Sequence, residues 1–429
     1  METDRGWHLN SDDRTIADLG GLLAASGEEC LFIVLALDNL DHLEIVAPVG
    51  VPARLRDLVG ACIVAECPAG TVLARREGRQ FVIMLPGVDA SGAVRLADRL
   101  IRAVPRCRIE AGGRHHAVTA RIATVSTALA CPRTPERVLQ LADAAAVLAR
   151  SRVSGPGTVF LKGDTALAAV ELAARHLLDL PAALEQGRIH LCAQEIVSLD
   201  PEPGGAREYE VLMQLVDEDG RLHAPGSFID GAEKSGLIEL LDRSVISTAL
   251  LGHADILQRA RNVRLSLNLS GRSISSPDLW PFLQDVIGRS GVAPARIQFE
   301  ITETAAILDL PVAQQTVRSM RAAGCRVALD DFGAGLSGFA YLNSFELDGI
   351  KIDGALIQKL TDPESVETAV VSTLIALGRR LGLEVVAEHV STEPALDVLR
   401  AMGVGKVQGF LLGCPKNLRQ VLDAGANSV

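Results

Sequence analysis

Seven segments in the second half of the chain run from apolar residues into a polar or acidic one. They read EYEVL at Glu210, RLSLN at Asn268, IQFE at Glu300, RVALDD at Asp330 and Asp331, GIKID at Lys351, EVVAE at Glu388 and KVQGF at Gln408. From Ile189 onward such strand patterns alternate with helical ones, among them GSFIDGAEKSGLIELLDRSVISTALLGHA, QQTVRSMRAAG and SVETAVVSTLIALGRRLG. The alternation predicts about eight strands and an α/β fold, a barrel whose parallel strands bring their C-terminal ends to one face. The first two strands, IHLCAQEIV and REYEVLMQL, are joined by the Pro/Gly-rich DPEPGGA and read as an antiparallel hairpin. The expected architecture is a TIM-like (β/α)8 barrel closed by that one variant antiparallel strand.

The first half has a different rhythm. LFIVLAL (31–37) reads as a strand, RLRDLVGACIVAE as an amphipathic helix, and residues 70–85 as a hairpin turning at Glu77-Gly78-Arg79. GAVRLADRLIRAV is a helix, HAVTARIATVS a strand and PERVLQLADAAAVLARS a helix. This order predicts an α+β domain around an antiparallel sheet. The expected divisions are a polar lead over 1–28, too short for a folded sensor, the α+β domain over 29–163, a helical linker over 164–180 and the barrel over 181–429.

Composition narrows the function. A hydrophobic share of 48% with 22% charged residues is globular. A net charge of −11 argues against binding a nucleic-acid polymer, which needs a basic surface. Any phosphate ligand must then be held by metal ions and local dipoles. The eight cysteines are scattered without a CxxC pair, which predicts free thiols and a cytoplasmic protein. The N-terminus is polar and acidic rather than a signal peptide, and no apolar run is long enough for a membrane span.

Five of the strand-end residues are carboxylates, with one lysine among them. They cannot all stay ionised in a shared pocket unless something cationic joins them, and one or two divalent metal ions are the simplest supplier. A lone strand-end acid could equally cap the next helix. The whole set at barrel spacing favours a shared site.

In order along the chain, these segments resemble the EAL phosphodiesterase family, which hydrolyses the bacterial second messenger cyclic di-GMP. Glu210-Val211-Leu212 stands at the name-giving motif, LNLS (267–270) at the asparagine motif and Glu300-Ile301-Thr302-Glu303 at the ExTE motif. DDFGAGLS (330–337), IKID (350–353), VVAEHV (385–390) and QGFLLGCP (408–415) follow in place. The resemblance implies two hard cations, Mg2+ or Mn2+. Glu210, Asn268, Glu300 and Asp330 would hold one; Asp330 and Asp331 would hold the second, with Glu388 beside it. Lys351 and Gln408 would position water, and Gln194, Leu212 and Gln214 would line the substrate. Glu303 would anchor the paired-aspartate loop, or be an ordinary first-turn glutamate. The product would be linear pGpG. The family also implies a homodimer through the loop after Asp331, and leaves room for a signalling protein as partner.

The first half resembles a GGDEF domain, the fold that makes cyclic di-GMP, in eroded form. Its signature hairpin stands as Gly78-Arg79-Gln80-Phe81, so the acidic pair is lost, and Ala36 replaces a metal-binding aspartate while Asp38 remains. Cyclase activity is not expected, since two-metal nucleotidyl transfer needs those carboxylates. Arg75, Arg76 and Arg79 could grip a nucleotide phosphate or form a solvated turn, and His115-His116 reads as a solvated strand edge.

The barrel half departs from the family at several positions. Gln214 replaces a phosphate-gripping arginine, which removes a charge-assisted contact worth roughly 1.5–3 kcal/mol. Glu195 replaces a proline and adds negative charge near the site unless it points away. Ala334, Gly338, His389 and Ser391 are further departures. None removes a metal ligand. They leave a second function open, a non-catalytic receptor for cyclic di-GMP.

Overall fold

The computed structural model describes residues 20–21, 23–24, 30–76, 79–151, 158–160, 165–201, 205–302, 308–333, 342, 344–360 and 365–426. Glu303, Ala334, Gly338 and most of the loop after Asp331 lie outside these residues. The chain divides into two compact units, Met1–Leu172 and Ala173–Val429.

The first unit contains strands β1 (Leu31–Asp38), β2 (Val72–Arg76), β3 (Gln80–Leu85), β4 (Arg108–Ala111), β5 (Arg114–Ala117), β6 (Thr119–Ser126) and β7 (Thr158–Phe160). Five of them form a sheet in the order β2-β3-β1-β6-β7, antiparallel except at the β6–β7 edge. The apolar run of β1 follows from burial on both faces. Leu31, Ile33, Leu35 and Leu37 pack into one core with the helices Val51–Glu66 and Ala90–Ala103. Phe32, Val34 and Ala36 pack into another with the helix Pro135–Ser151. The α+β reading therefore holds in outline.

Two details differ from expectation. HAVTARIATVS is divided, because β5 pairs with β4 in a separate ribbon while β6 joins the main sheet. His116 is accordingly buried, its Nε2 3.3 Å from the Ala111 carbonyl oxygen, and only His115 lies on a solvated edge. A short helix, Leu40–Val46, follows β1 where none was predicted.

The second unit contains β8 (Ile189–Ser198), β9 (Arg207–Val216), β10 (Leu222–His223), β11 (Val263–Leu269), β12 (Ile297–Thr302), β13 (Arg326–Phe332), β14 (Gly349–Ile352), β15 (Glu384–Ala387), β16 (Lys406–Val407) and β17 (Lys416–Asn417). β8, β9 and β11 to β16 close an eight-stranded barrel. β8 is antiparallel to both neighbours, β9 and β16, and the other barrel pairs are parallel. The helix predicted over GSFID…GHA is broken into Ile229–Ser235 and Ile238–Leu250, because Gly236 takes φ 82° and stops the first piece. The helix Ala166–Glu185 runs through the expected linker; Leu167 joins a core of the first unit, and Leu180 and Ala183 join the core of the second. Among the described residues no helix is long and apolar enough to cross a membrane.

Alternation along the barrel strands places the site. On β9, Tyr209, Val211, Met213 and Leu215 pack outward, as do Val263, Leu265, Leu267 and Leu269 on β11 and Ile297, Phe299 and Ile301 on β12. The intervening residues therefore face inward. In this barrel many of those inward residues are polar, where apolar layers are the common filling.

Candidate active site

The inward residues toward the C-terminal ends of the strands converge on Lys351. This lysine is 1% exposed, and its Nζ lies 3.3 Å from Glu210 Oε2, 2.8 Å from Glu300 Oε2, 3.1 Å from Asp330 Oδ1 and 2.7 Å from Glu388 Oε1. Glu210 is also held by two amides. Asn268 Nδ2 donates to its Oε1 at 2.8 Å, and Gln408 Nε2 donates to its Oε2 at 2.8 Å. Gln408 Nε2 is 3.2 Å from Gln194 Oε1, and Gln194 donates in turn to the Gly413 carbonyl at 2.9 Å. Gln408 lies just past β16 and is aimed by a close backbone crossing. A Cβ on the next residue, Gly409, would stand 2.1 Å from the Val390 carbonyl oxygen, so only glycine fits there.

Successive strand residues normally face opposite ways. Asp330 and Asp331 escape that rule through an irregularity in the β13–β14 pairing between Leu329 and Phe332, with Asp331 at φ 52°. The Asp331 backbone N–H donates to Asp330 Oδ1 at 3.0 Å. Both carboxylates reach one cavity as a result.

The cluster carries more negative charge than Lys351 can balance. Burial and the neighbouring carboxylates outweigh Lys351 at Glu300 and push its carboxyl up to about 7. Burial and then Asp330 raise Asp331 to about 6 and Glu388 well above the usual range. At Glu210 burial is outweighed by Lys351 and the hydrogen bonds from Asn268 and Gln408, and its pKa is lowered. Burial works against the charge of Lys351, but the four carboxylates prevail and raise its pKa.

The residues fit a pair of hard cations. Glu210, Glu300 and Asp330 offer oxygens all within 4.8 Å of one another, and so do Asp330, Asp331 and Glu388. Asp330 belongs to both triads. Glu300 Oε2 faces the Lys351 ammonium at 2.8 Å and has no other polar partner among the described residues, and a carboxylate oxygen so placed keeps a second lone pair for a ligand. An all-oxygen donor set suits a hard divalent cation.

Glu210, Asp330, Asp331 and Glu388 open into a cavity of about 340 Å³ lined also by Gln194, Leu212, Gln358, His389, Phe410 and Gln408, while Glu300 is fully buried. Gln194 and Leu212 thus both line this cavity. Gln214 is not among the lining residues; its Oε1 takes a long contact, 3.5 Å, from the Cys192 thiol. Of the two alternatives open for Glu195, the outward one holds. It faces away from the site on β8 and pairs with Arg207 at 2.9 Å, and it is not among the cavity's lining residues.

A second polar layer beneath the acids escaped sequence reasoning. Glu208 pairs with Arg264 and Lys406; Lys406 reaches Glu384 at 2.6 Å, and Arg326 reaches Glu384 at 2.8 Å and Gln298 at 3.2 Å. Gln298 Nε2 connects this ring to the site, donating to Glu300 Oε1 and to Ser266 Oγ, both at 3.1 Å. The signal for it was present. Glu208, Gln298 and Lys406 each precede an inward site residue by two positions, the strand repeat.

The family model described as "EAL domain" matches residues 178–415, more than half of the chain. A Shewanella oneidensis protein, Cyclic di-GMP phosphodiesterase PdeB, is 27% identical over 376 residues, which cover 85% of this chain and 42% of that protein. The chain spans about half the length, or less, of the curated relatives it matches. Among solved structures, "PaMucR Phosphodiesterase, c-di-GMP complex" is similar at TM-score 0.51 and 30% identity, covering 58% of this chain and 99% of that one. The Vibrio cholerae LapD S helix-GGDEF-EAL structure shares the fold over 95% of both chains at TM-score 0.55, with 17% identity. With its motif residues gathered on one face of such a barrel, the chain belongs to the EAL domain family.

Proposed function

We propose that the barrel hydrolyses cyclic di-GMP to linear pGpG. The observation that carries this reading is the sharing of Asp330 by two carboxylate triads, with Glu210, Asp330, Asp331 and Glu388 lining the cavity. Glu210, Asn268, Glu300 and Asp330 would hold one Mg2+ or Mn2+, and Asp330 and Asp331 the other, with Glu388 alongside. Bound there, the ions would lower the pKa of a water and stabilise charge on the phosphoryl oxygens. Water would add its oxygen to one phosphorus as the P–O3′ bond breaks, the departing 3′ oxygen would take up the proton that the water loses, and the phosphate would stay on the 5′ side. Lys351 and Gln408 orient that water from the floor of the site. The names of PdeB and the PaMucR complex support the choice of substrate.

The test is turnover of cyclic di-GMP by the purified chain with Mn2+ or Mg2+, abolished by Glu210→Ala. Absence of turnover with metals bound would overturn the reading. It would favour a non-catalytic receptor, provided that the chain binds cyclic di-GMP.

We propose that the first unit is a GGDEF-like regulatory domain without cyclase activity. Ala36 offers no ligand on β1, and Asp38 is paired with Arg121 at 3.2 Å. Arg75, Arg76 and Arg79 are engaged by Asp57, Asp143 and Asp41 at 2.8, 2.8 and 2.6 Å, so their charge is already answered. The eight free cysteines suit a cytoplasmic setting. A homodimer through the barrel and a signalling partner complete the proposal.

A further inference from the structure

The cavity that would receive a dinucleotide offers its phosphates few donors. Its described lining includes Glu210, Asp330, Asp331 and Glu388 but no lysine or arginine, and Lys351 is buried beneath them. One imidazole stands on the rim, that of His389.

His389 is held there at a conformational cost. It takes φ 54°, a region that favours glycine. Among the described residues only Asn39 and Asp331 share a positive φ without being glycine. Asparagine tolerates that region, and Asp331 uses it to turn a second carboxylate into the cavity. The neighbour also makes room. A Cβ on Gly354 would lie 2.5 Å from His389 Cδ2 and 2.6 Å from its Cβ and Cγ. The imidazole is exposed at the mouth, and among the described residues its nitrogens have no hydrogen-bond partner. A strained backbone and an accommodating glycine thus present one unengaged donor beside an acidic floor.

We infer that His389 is a substrate-contact residue whose imidazole N–H donates a hydrogen bond to a phosphate oxygen of the bound cyclic dinucleotide. The inference rests on the phosphodiesterase reading of the same site. The neutral ring keeps one N–H, so the contact does not depend on protonation.

Steady-state kinetics and thermal melting of His389→Gly and His389→Asn in the full chain with Mn2+ test it. In His389→Gly, KM for cyclic di-GMP should rise about 5- to 30-fold with kcat within twofold. Its Tm should stay level or rise, because glycine relieves the backbone. His389→Asn tolerates the same φ and keeps an N–H donor, so its KM should stay within about threefold of wild type. Unchanged KM in His389→Gly, or a fall in Tm together with kcat in both variants, would overturn the inference and leave the phosphodiesterase reading intact. A wild-type chain that neither turns over nor binds cyclic di-GMP would remove that reading and this inference together.

Discussion

Lys351 Nζ sits 2.7 Å from Glu388 Oε1, and the same ammonium touches three more carboxylates. One buried cation therefore organises four buried anions. Lys351→Met should abolish turnover and destabilise the metal-free chain by about 3–5 kcal/mol, the usual cost of stranding buried charge. Mn2+ should restore much of that loss by taking the place of the ammonium. Urea unfolding in EDTA and in Mn2+ measures both terms. An equal loss in the two conditions would contradict this picture.

The raised carboxyls predict an unusual pH slope. Glu300 moves from its ordinary 4.5 to about 7 and Asp331 from 3.8 to about 6. Between those limits the folded, metal-free chain binds more protons than the unfolded chain. The stability they confer is complete below about pH 4 and is lost as pH rises through about 7. Metal binding requires deprotonated ligands and strengthens with pH, so the metal-saturated chain should show a flatter or opposite slope. Melting curves at several pH values between 5 and 7.5, with EDTA or Mn2+, would refute this if the slopes coincide.

Gln298 is the link between the lower ring and Glu300. Gln298→Leu should lower metal affinity or turnover by about 10- to 100-fold, as loss of a ligand's hydrogen-bonding support commonly does. Metal titration by calorimetry separates this from misfolding, since the melting temperature in EDTA should change little by comparison.

The ring itself is expected to be structural. Glu208 is the common partner of Arg264 and Lys406. Glu208→Ala leaves the partly buried Arg264 without its carboxylate while Lys406 keeps Glu384, and should cost about 3 kcal/mol in stability. Denaturant midpoints check this, and a near-neutral change would show the ring to be solvated.

Gln214 faces inward on β9, and among the described residues its side chain makes only the long contact from Cys192. Gln214→Arg should lower KM for cyclic di-GMP by about tenfold, the gain from one charge-assisted contact to phosphate. An unchanged KM would show that the side chain does not reach the ligand.

Much of the barrel was readable before any coordinates. Alternation puts Glu210, Asn268, Glu300 and Lys351 on the inward face of their strands, and alternation is local. The antiparallel first strand was visible in its short Pro/Gly-rich connection. The outward turn of Glu195 to Arg207 follows from the same alternation, since it is the residue next to the inward Gln194.

Other features needed the closed barrel. Glu210 and Lys351 are 141 positions apart, and nothing in either segment says that Nζ and Oε2 come within 3.3 Å. Which inward side chains share a layer depends on the stagger of all eight strands. The irregularity that turns both Asp330 and Asp331 to one side breaks the strand repeat, so a pattern-based reading cannot contain it. The strained rim at His389 likewise exists only because Gly354, a distant neighbour in sequence, leaves space for its ring. Residue types and parity determined which groups line the barrel; the long-range closure decided which of them meet, and hence the charge balance that defines the site.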